Sequence, residues 1–142
     1  MMDADDLEKS FANRQTMIRP SAVLPAERLE QLQFANLLLC RLGTTPVTPC
    51  LLVNQPTQAV RQVPLRDGLS LGRGKTAGLQ FDLAELSKQH LAFHECGPDD
   101  WEVEDLSSSN GTFLNRERVE GRQPLNSGDI IEAGGQLFLF LT

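Results

Sequence analysis

The sequence is short of the residues on which many kinds of site depend. Its 142 residues include two histidines, three cysteines, one tryptophan and no tyrosine. Cys40, Cys50 and Cys96 are odd in number and irregularly spaced, so they do not form the framework of a disulfide-rich secreted domain. His94 and Cys96 would share one face of a strand, but two ligands do not complete a zinc site. We therefore predict structural thiols, no metal or other cofactor, and a reducing, cytoplasmic environment.

Basic residues are also scarce, since 13 lysines and arginines against 19 aspartates and glutamates give a net charge of −6. Proteins that bind duplex nucleic acid usually present a basic face, and none is visible here, so nucleic acid is not an expected partner. Apolar runs such as Leu37–Cys40 are far shorter than the roughly 20 residues that cross a bilayer. The polar first 20 residues do not resemble a signal peptide. We expect a soluble protein with no direct membrane insertion.

The N-terminal third of the chain contains a tail and one helix. Residues 1–24 lack apolar periodicity and predict a disordered tail. Residues 25–46 predict a helix that begins at Pro25 and stops before Gly43, followed by a linker. Its apolar stripe consists of Leu29, Leu32, Ala35 and Leu39. This stripe either packs on the chain's own domain or docks a partner helix, and the sequence leaves both alternatives open.

Residues 47–142 have a different sequence pattern, in which short β-prone runs alternate with the turn-forming residues glycine, asparagine, aspartate and proline. The nine runs are Cys50–Asn54, Val60–Leu65, Leu69–Gly72, Gly78–Phe81, Leu91–Cys96, Trp101–Asp105, Thr112–Leu114, Ile130–Glu132 and Gln136–Leu141. Strands at this spacing predict an all-β sandwich, and no alternation of strands and helices is visible.

Three motifs lie in loops between these runs. They are Leu71-Gly72-Arg73-Gly74, Leu86-Ser87-Lys88-Gln89-His90, and the stretch from Asp105 to Asn115. Each motif alone has an ordinary structural explanation. For example, Asn110-Gly111 is a strong hairpin signal because both residues tolerate positive φ.

Together and in this order, the motifs resemble the forkhead-associated (FHA) domain. The matching residues are Gly72-Arg73, Ser87 to His90, Trp101, Asp105 to Thr112, Asn115, Leu125, Gly128-Asp129, Ile131 and Gly134. The resemblance covers roughly residues 47–142. It implies an eleven-stranded antiparallel β-sandwich, here with a short N-terminal helical extension, whose loops bind phosphothreonine at one end.

The resemblance also assigns roles to particular residues. Phosphopeptide binding is expected from Arg73, Ser87, Lys88, Ser109 and Asn110. An arginine suits the phosphate because its planar guanidinium donates to two oxygens at once. Gly72, His90, Gly111 and Thr112 are expected to support the loops. Glu85 is expected to favour a basic side chain at the third residue after the phosphothreonine, the +3 position.

The expected partners are phosphothreonine-containing proteins and the Ser/Thr kinases that modify them. The chain's own tail is one candidate, because Thr16 is preceded by Arg14 and followed at +3 by Arg19. The alternative is a phosphate-independent interaction or assembly module on the same fold. No spacing indicates a nucleophile with its base, so we do not expect an enzyme.

Overall fold

Eleven short strands and one helix account for the regular structure. The computed structural model describes residues 26–55 and 57–142, so the predicted tail, Thr16 and Pro25 lie outside the described residues. The elements are α1 (Ala26–Leu42), β1 (Cys50–Val53), β2 (Arg61–Pro64), β3 (Ser70–Gly72), β4 (Leu79–Gln80), β5 (Leu91–Gly97), β6 (Asp100–Asp105), β7 (Thr112–Leu114), β8 (Glu117–Arg118), β9 (Arg122–Leu125), β10 (Ile130–Ala133) and β11 (Gln136–Leu141).

The strands form two sheets, which confirms the predicted β-sandwich. The six-stranded sheet has the order β2-β1-β11-β10-β7-β8, and the five-stranded sheet has the order β4-β3-β5-β6-β9. Every pair is antiparallel except β3 with β4, where Leu71 lies beside Leu79 and Gly72 beside Gln80 in parallel register. The predicted antiparallel pairing therefore holds for every pair except β3 with β4. The loop between these two strands brings the chain back to the end of the sheet where β3 began, so β4 runs in the same direction.

The core lies between the two sheets because each strand alternates inward and outward side chains. On β10, Ile131 and Ala133 are buried while Ile130 and Glu132 are only partly covered. The largest fully buried side chains include Trp101, Phe93, Phe138 and Phe140. These aromatic residues hold the sheets together and give the loops at the sandwich ends a rigid base.

Helix α1 packs on the outer face of the six-stranded sheet, so its apolar residues are used within the chain. Ala35, Leu38 and Leu39 form a second core cluster that includes Leu52 and Leu139. Of the predicted stripe, Leu29 does not pack on the domain, since it is 46% exposed. The helix contacts the sheet mainly through its C-terminal half.

Arg41 fixes that half of the helix to the β1–β2 loop by donating to the carbonyls of Gln55 (3.0 Å) and Gln58 (2.9 Å). Within the described ranges, no helix is long and apolar enough to cross a membrane. The division predicted at residue 47 stays a prediction, although the helix shares its apolar cluster with the strands.

Candidate functional site

Hydrogen bonds join the three sequence motifs at one end of the sandwich. In the loop after β3, the backbone N–H groups of Arg73 and Gly74 donate to the carbonyls of Ser87 (2.9 Å) and Lys88 (3.0 Å). From the loop after β6, the N–H of Ser109 donates to Ser87 Oγ at 3.0 Å. The five expected binding residues therefore come from three loops that are tied to one another.

A second bond from the loop after β6 reaches the residue expected to select the +3 side chain. Asn110 Nδ2 donates to the carbonyl of Glu85 at 2.9 Å. This contact holds the Asn110 amide at the rim of the site and beside the Glu85 backbone. The expected main-chain contact and the expected +3 contact are thus neighbours.

Gly72 is required by the close approach of the loops. A Cβ at this position would lie 2.2 Å from the Lys88 carbonyl oxygen and 2.9 Å from that of Ser87. Both atoms belong to the backbone, so a side chain at residue 72 would have to push the Ser87–Lys88 segment away. The glycine in the Gly-Arg motif thus sets the distance between Arg73 and its neighbouring loop.

His90 is buried and connects two of the loops. Its Nδ1 accepts a hydrogen bond from the N–H of Ser87 at 3.1 Å, and its Nε2 lies 2.8 Å from the carbonyl oxygen of Gly111. Because Nδ1 accepts, the proton is assigned to Nε2, which donates to Gly111. Both ring nitrogens are therefore used inside the protein, and the ring does not face a ligand.

Asp105 organises the loop that carries Ser109 and Asn110. Its Oδ1 accepts from the hydroxyls of Ser108 (2.6 Å) and Thr112 (2.8 Å), and the Ser108 hydroxyl in turn accepts from the N–H of Gly111 (3.0 Å). Burial alone would raise the pKa of Asp105, but these hydrogen bonds and the nearby His90 outweigh it and lower the pKa. The ionised carboxylate is thus part of the folded loop.

The groups that remain for a ligand are mostly donors and cations. Arg73 and Lys88 are exposed. The Ser87 hydroxyl accepts from Ser109 but donates to no other described residue, so its proton remains for a ligand. A lysine and an arginine beside hydroxyl and amide groups form a site suited to an anion with several oxygens.

Sequence reasoning missed two charged residues near this site. Arg118 on β8 lies so close to Gly111 that a Cβ on the glycine would be 3.3 Å from its Nε. Glu132 on β10 shares a cavity of about 130 Å³ with Glu85 and Asn110. The Asn115-Arg116 turn, with φ of 49° and 71°, was the available signal for Arg118 because it sets the β7–β8 hairpin register.

The cysteines and His94 lie away from the site loops. Burial raises the pKa of Cys50 to about 12, while Cys40 and Cys96 are exposed and free. His94 Nε2 lies 2.8 Å from Glu104 Oε1. Among residues 26–55 and 57–142, no group of three metal-ligating side chains comes together.

The fold and the tied loops define a β-sandwich protein with exposed cations, hydroxyl groups and amide groups at one end. The family model described as FHA domain matches residues 69–134. This chain therefore contains an FHA domain, as the sequence resemblance implied. FHA domains are binding modules, not enzymes.

Known proteins agree with this assignment. Over 70 residues the chain is 36% identical to an oxoglutarate dehydrogenase inhibitor of Corynebacterium jeikeium, covering 49% of this chain and 47% of the relative. The chain thus spans about half the length of this curated relative. A solved FHA domain analysed for phosphothreonine-dependent interactions is 28% identical, with a TM-score of 0.55 over 63% of this chain and 91% of that chain. The FhaA FHA domain, complexed with the intracellular domain of another protein, is 28% identical, with a TM-score of 0.57 over 63% of this chain and 96% of that chain.

Proposed function

We propose that this chain binds phosphothreonine in proteins modified by Ser/Thr kinases and acts in signalling by binding, without catalysis. The observation that carries the proposal is the convergence of Arg73, Ser87, Lys88, Ser109 and Asn110 through hydrogen bonds between their loops. The FHA family and a relative studied for phosphothreonine-dependent interactions support the same ligand.

The phosphate has about 1.5 to 2 negative charges near neutral pH and three strong acceptor oxygens. In the proposed complex Arg73 donates two hydrogen bonds, Ser87 donates through its hydroxyl, and Lys88 adds charge. Ser109 and Asn110 contact the peptide main chain and hold it across the loops. Because the protein as a whole is acidic, the local cations give the site its preference for a phosphate.

Threonine is preferred to serine in this proposal because the loops also receive the γ-methyl group. Burying one methyl group contributes roughly 1 kcal/mol, which is about a fivefold change in affinity. A matched pair of phosphothreonine and phosphoserine peptides measures this contribution directly.

Selectivity at +3 is proposed to come from carboxylates. Glu85 and Glu132 line the same cavity of about 130 Å³ next to Asn110. Two carboxylates in one small cavity favour a lysine or arginine side chain and disfavour aspartate or glutamate. This extends the expected role of Glu85 to a second residue on a different element.

The test is calorimetric titration of the chain with a phosphothreonine peptide and with its unphosphorylated twin. We expect binding in the micromolar range for the first, about −8 kcal/mol, and none for the second. Arg73→Ala should abolish binding. Arg66→Ala is the matched control, because Arg66 is also exposed but precedes β3 while Arg73 follows it. Equal affinity of both peptides would reject the proposal.

The alternative function is a phosphate-independent interaction module. This alternative would be favoured if the Arg73→Ala variant still bound a protein partner that the wild type binds. The curated relative is named as an inhibitor, which fits a function performed by binding to another protein.

Thr16 is proposed as one candidate ligand within the same chain. It lies outside the described residues, and its support is the +3 arginine, Arg19, which suits the cavity of Glu85 and Glu132. Capture of a phosphorylated Thr16 would exclude external peptides through its high local concentration. Phosphorylating Thr16 and titrating a phosphopeptide tests this, with light scattering to detect dimers. Unchanged affinity and an unchanged oligomeric state would refute self-capture.

A further inference from the structure

A groove outside the candidate phosphate site runs between helix α1 and the β7–β8 hairpin. It is a cavity of about 430 Å³ on the outer face of the six-stranded sheet. Phe34 of the helix and the strand residues Ile130 and Leu137 give it an apolar lining, and all three are only partly buried. An ion pair of 2.8 Å between Glu30 and Arg116 connects the helix with the hairpin at its rim.

This groove is continuous with the candidate site. Glu132 and Gly135 line both the large cavity and the small cavity that contains Glu85 and Asn110. A path therefore leads from Asn110, past the turn between β10 and β11, to Phe34. Helix α1 forms the far wall of this path, and the loop before β5 forms its near end.

The two ends of the path differ in charge. Glu132 projects outward from β10 between its cross-strand neighbours Phe113 and Leu137, and it forms no ion pair with a described residue. At the rim of the large cavity the charges of Glu30 and Arg116 compensate each other. The near end is thus lined by the carboxylates of Glu85 and Glu132, with Arg118 beside Gly111 at its wall, and the far end is apolar with a neutralised rim.

We propose that this path binds the segment that follows the phosphothreonine in a partner protein, with a basic side chain at Glu85 and Glu132 and an apolar side chain against Phe34, Ile130 and Leu137. This inference rests on the proposed function. Since the Glu85 cavity is assigned to +3, the groove beyond it receives residues further along the ligand. An extended peptide advances about 3.3 Å per residue, so the positions directly after +3 are those that enter the groove.

The experiment uses the full chain and five phosphothreonine peptides with arginine at +3. The base peptide has serine at the four positions that follow, and each of the others has leucine at one of them. We expect one leucine peptide to bind about fivefold to tenfold more tightly than the base peptide, because part of a leucine side chain leaves water. Phe34→Ser should remove this gain.

Leu37→Ser is the matched control, since Leu37 lies on the same helix, is 54% exposed and does not line the groove. It should keep the full gain. Should Phe34→Ser unfold, Gln31→Trp provides a second variant that fills the groove from its partly exposed wall, and it should also abolish the gain.

The outcomes separate this inference from the function on which it rests. If the base peptide binds and no leucine peptide improves on it, the groove does not bind the ligand. The same conclusion follows if the gain survives Phe34→Ser or Gln31→Trp in folded protein. If the base peptide does not bind at all, the proposed phosphothreonine function fails as well.

Discussion

Replacing His90 with alanine separates the support of the loops from the binding of the ligand. The imidazole is fully buried and forms hydrogen bonds with the N–H of Ser87 and the carbonyl of Gly111. Alanine provides neither partner, so both backbone groups lose a hydrogen bond beneath the proposed site. Ser87 and the loop of Ser109 should then lose their fixed relative positions.

The size of the effect follows from these two contacts. Leaving a buried donor or acceptor without a partner costs about 1 to 3 kcal/mol for each group. The Ser87 contact is only part-buried, so its loss lies at the low end of this range, and the cavity left by the ring adds to the total. His90→Ala should therefore lower the free energy of unfolding by about 3 to 5 kcal/mol. A domain of this size has a total stability of about 5 to 15 kcal/mol, so the melting temperature should fall by about 10 °C or more.

Urea unfolding and calorimetric titration should be measured on the same His90→Ala sample. Binding of a phosphothreonine peptide should weaken at temperatures where the variant is still folded. Arg73→Ala is the comparison, because an exposed loop arginine contributes little to stability while its loss should abolish binding. If His90→Ala left both stability and affinity unchanged, the bracing role would be wrong.

Three further predictions concern other parts of the site. Gly72→Ala should weaken phosphopeptide binding at least tenfold and lower stability by about 1 to 3 kcal/mol, because its Cβ would overlap the Lys88 backbone; unchanged affinity in calorimetry would contradict this. Glu85→Arg should reverse the preference for arginine over aspartate at +3, and an unchanged ranking in a peptide series would remove the assignment. Asp105→Asn should destabilise the protein at neutral pH. Because the folded-state pKa of Asp105 is lowered, its stabilisation is present above the ordinary value of 3.8 and is lost as pH falls below it; a stability difference that persisted in acid unfolding experiments would refute this role.

Strands were predicted correctly where their buried positions required apolar residues. Each of the nine predicted runs overlaps an observed strand, and Thr112–Leu114 and Gln136–Leu141 have the predicted bounds. The two strands that the periodicity missed, β8 and β9, are the last strands of their sheets. An edge strand tolerates charge and even proline, as at Pro124, so its sequence carries little of the apolar pattern.

The helix shows a second limit of periodicity. Leu29 continues the apolar repeat but is exposed, whereas Leu38, which was left out of the predicted stripe, is fully buried. The spacing of apolar residues defines a possible face, but the sheet decides which part of that face it covers. Only the position of Leu52 and Leu139 on the sheet makes Leu38 a core residue.

In the candidate site, too, some residues could be predicted from the sequence and others could not. The loop motifs around Arg73, Ser87 and Asn110 were visible because their residues are close in sequence and in a characteristic order. Arg118 and Glu132 were not visible, because they enter the site region through strand pairing. The proximity of Arg118 depends on the register of β7 with β8, which the short Asn115-Arg116 turn sets, whereas that of Glu132 depends on the register of β7 with β10, which no local motif encodes.

The contacts of Ser87 show how the fold prepares the site for a ligand. Its N–H, its carbonyl and its Oγ are bonded to His90, Arg73 and Ser109 respectively. The serine is therefore held in place before any ligand arrives, and binding need not order its loop again. Arg73 and Lys88, in contrast, are exposed side chains whose immobilisation costs about 0.5 to 1.5 kcal/mol each. In the proposed complex, the affinity gained from these two charges is reduced by that cost, while the fixed hydroxyl and backbone of Ser87 set the geometry.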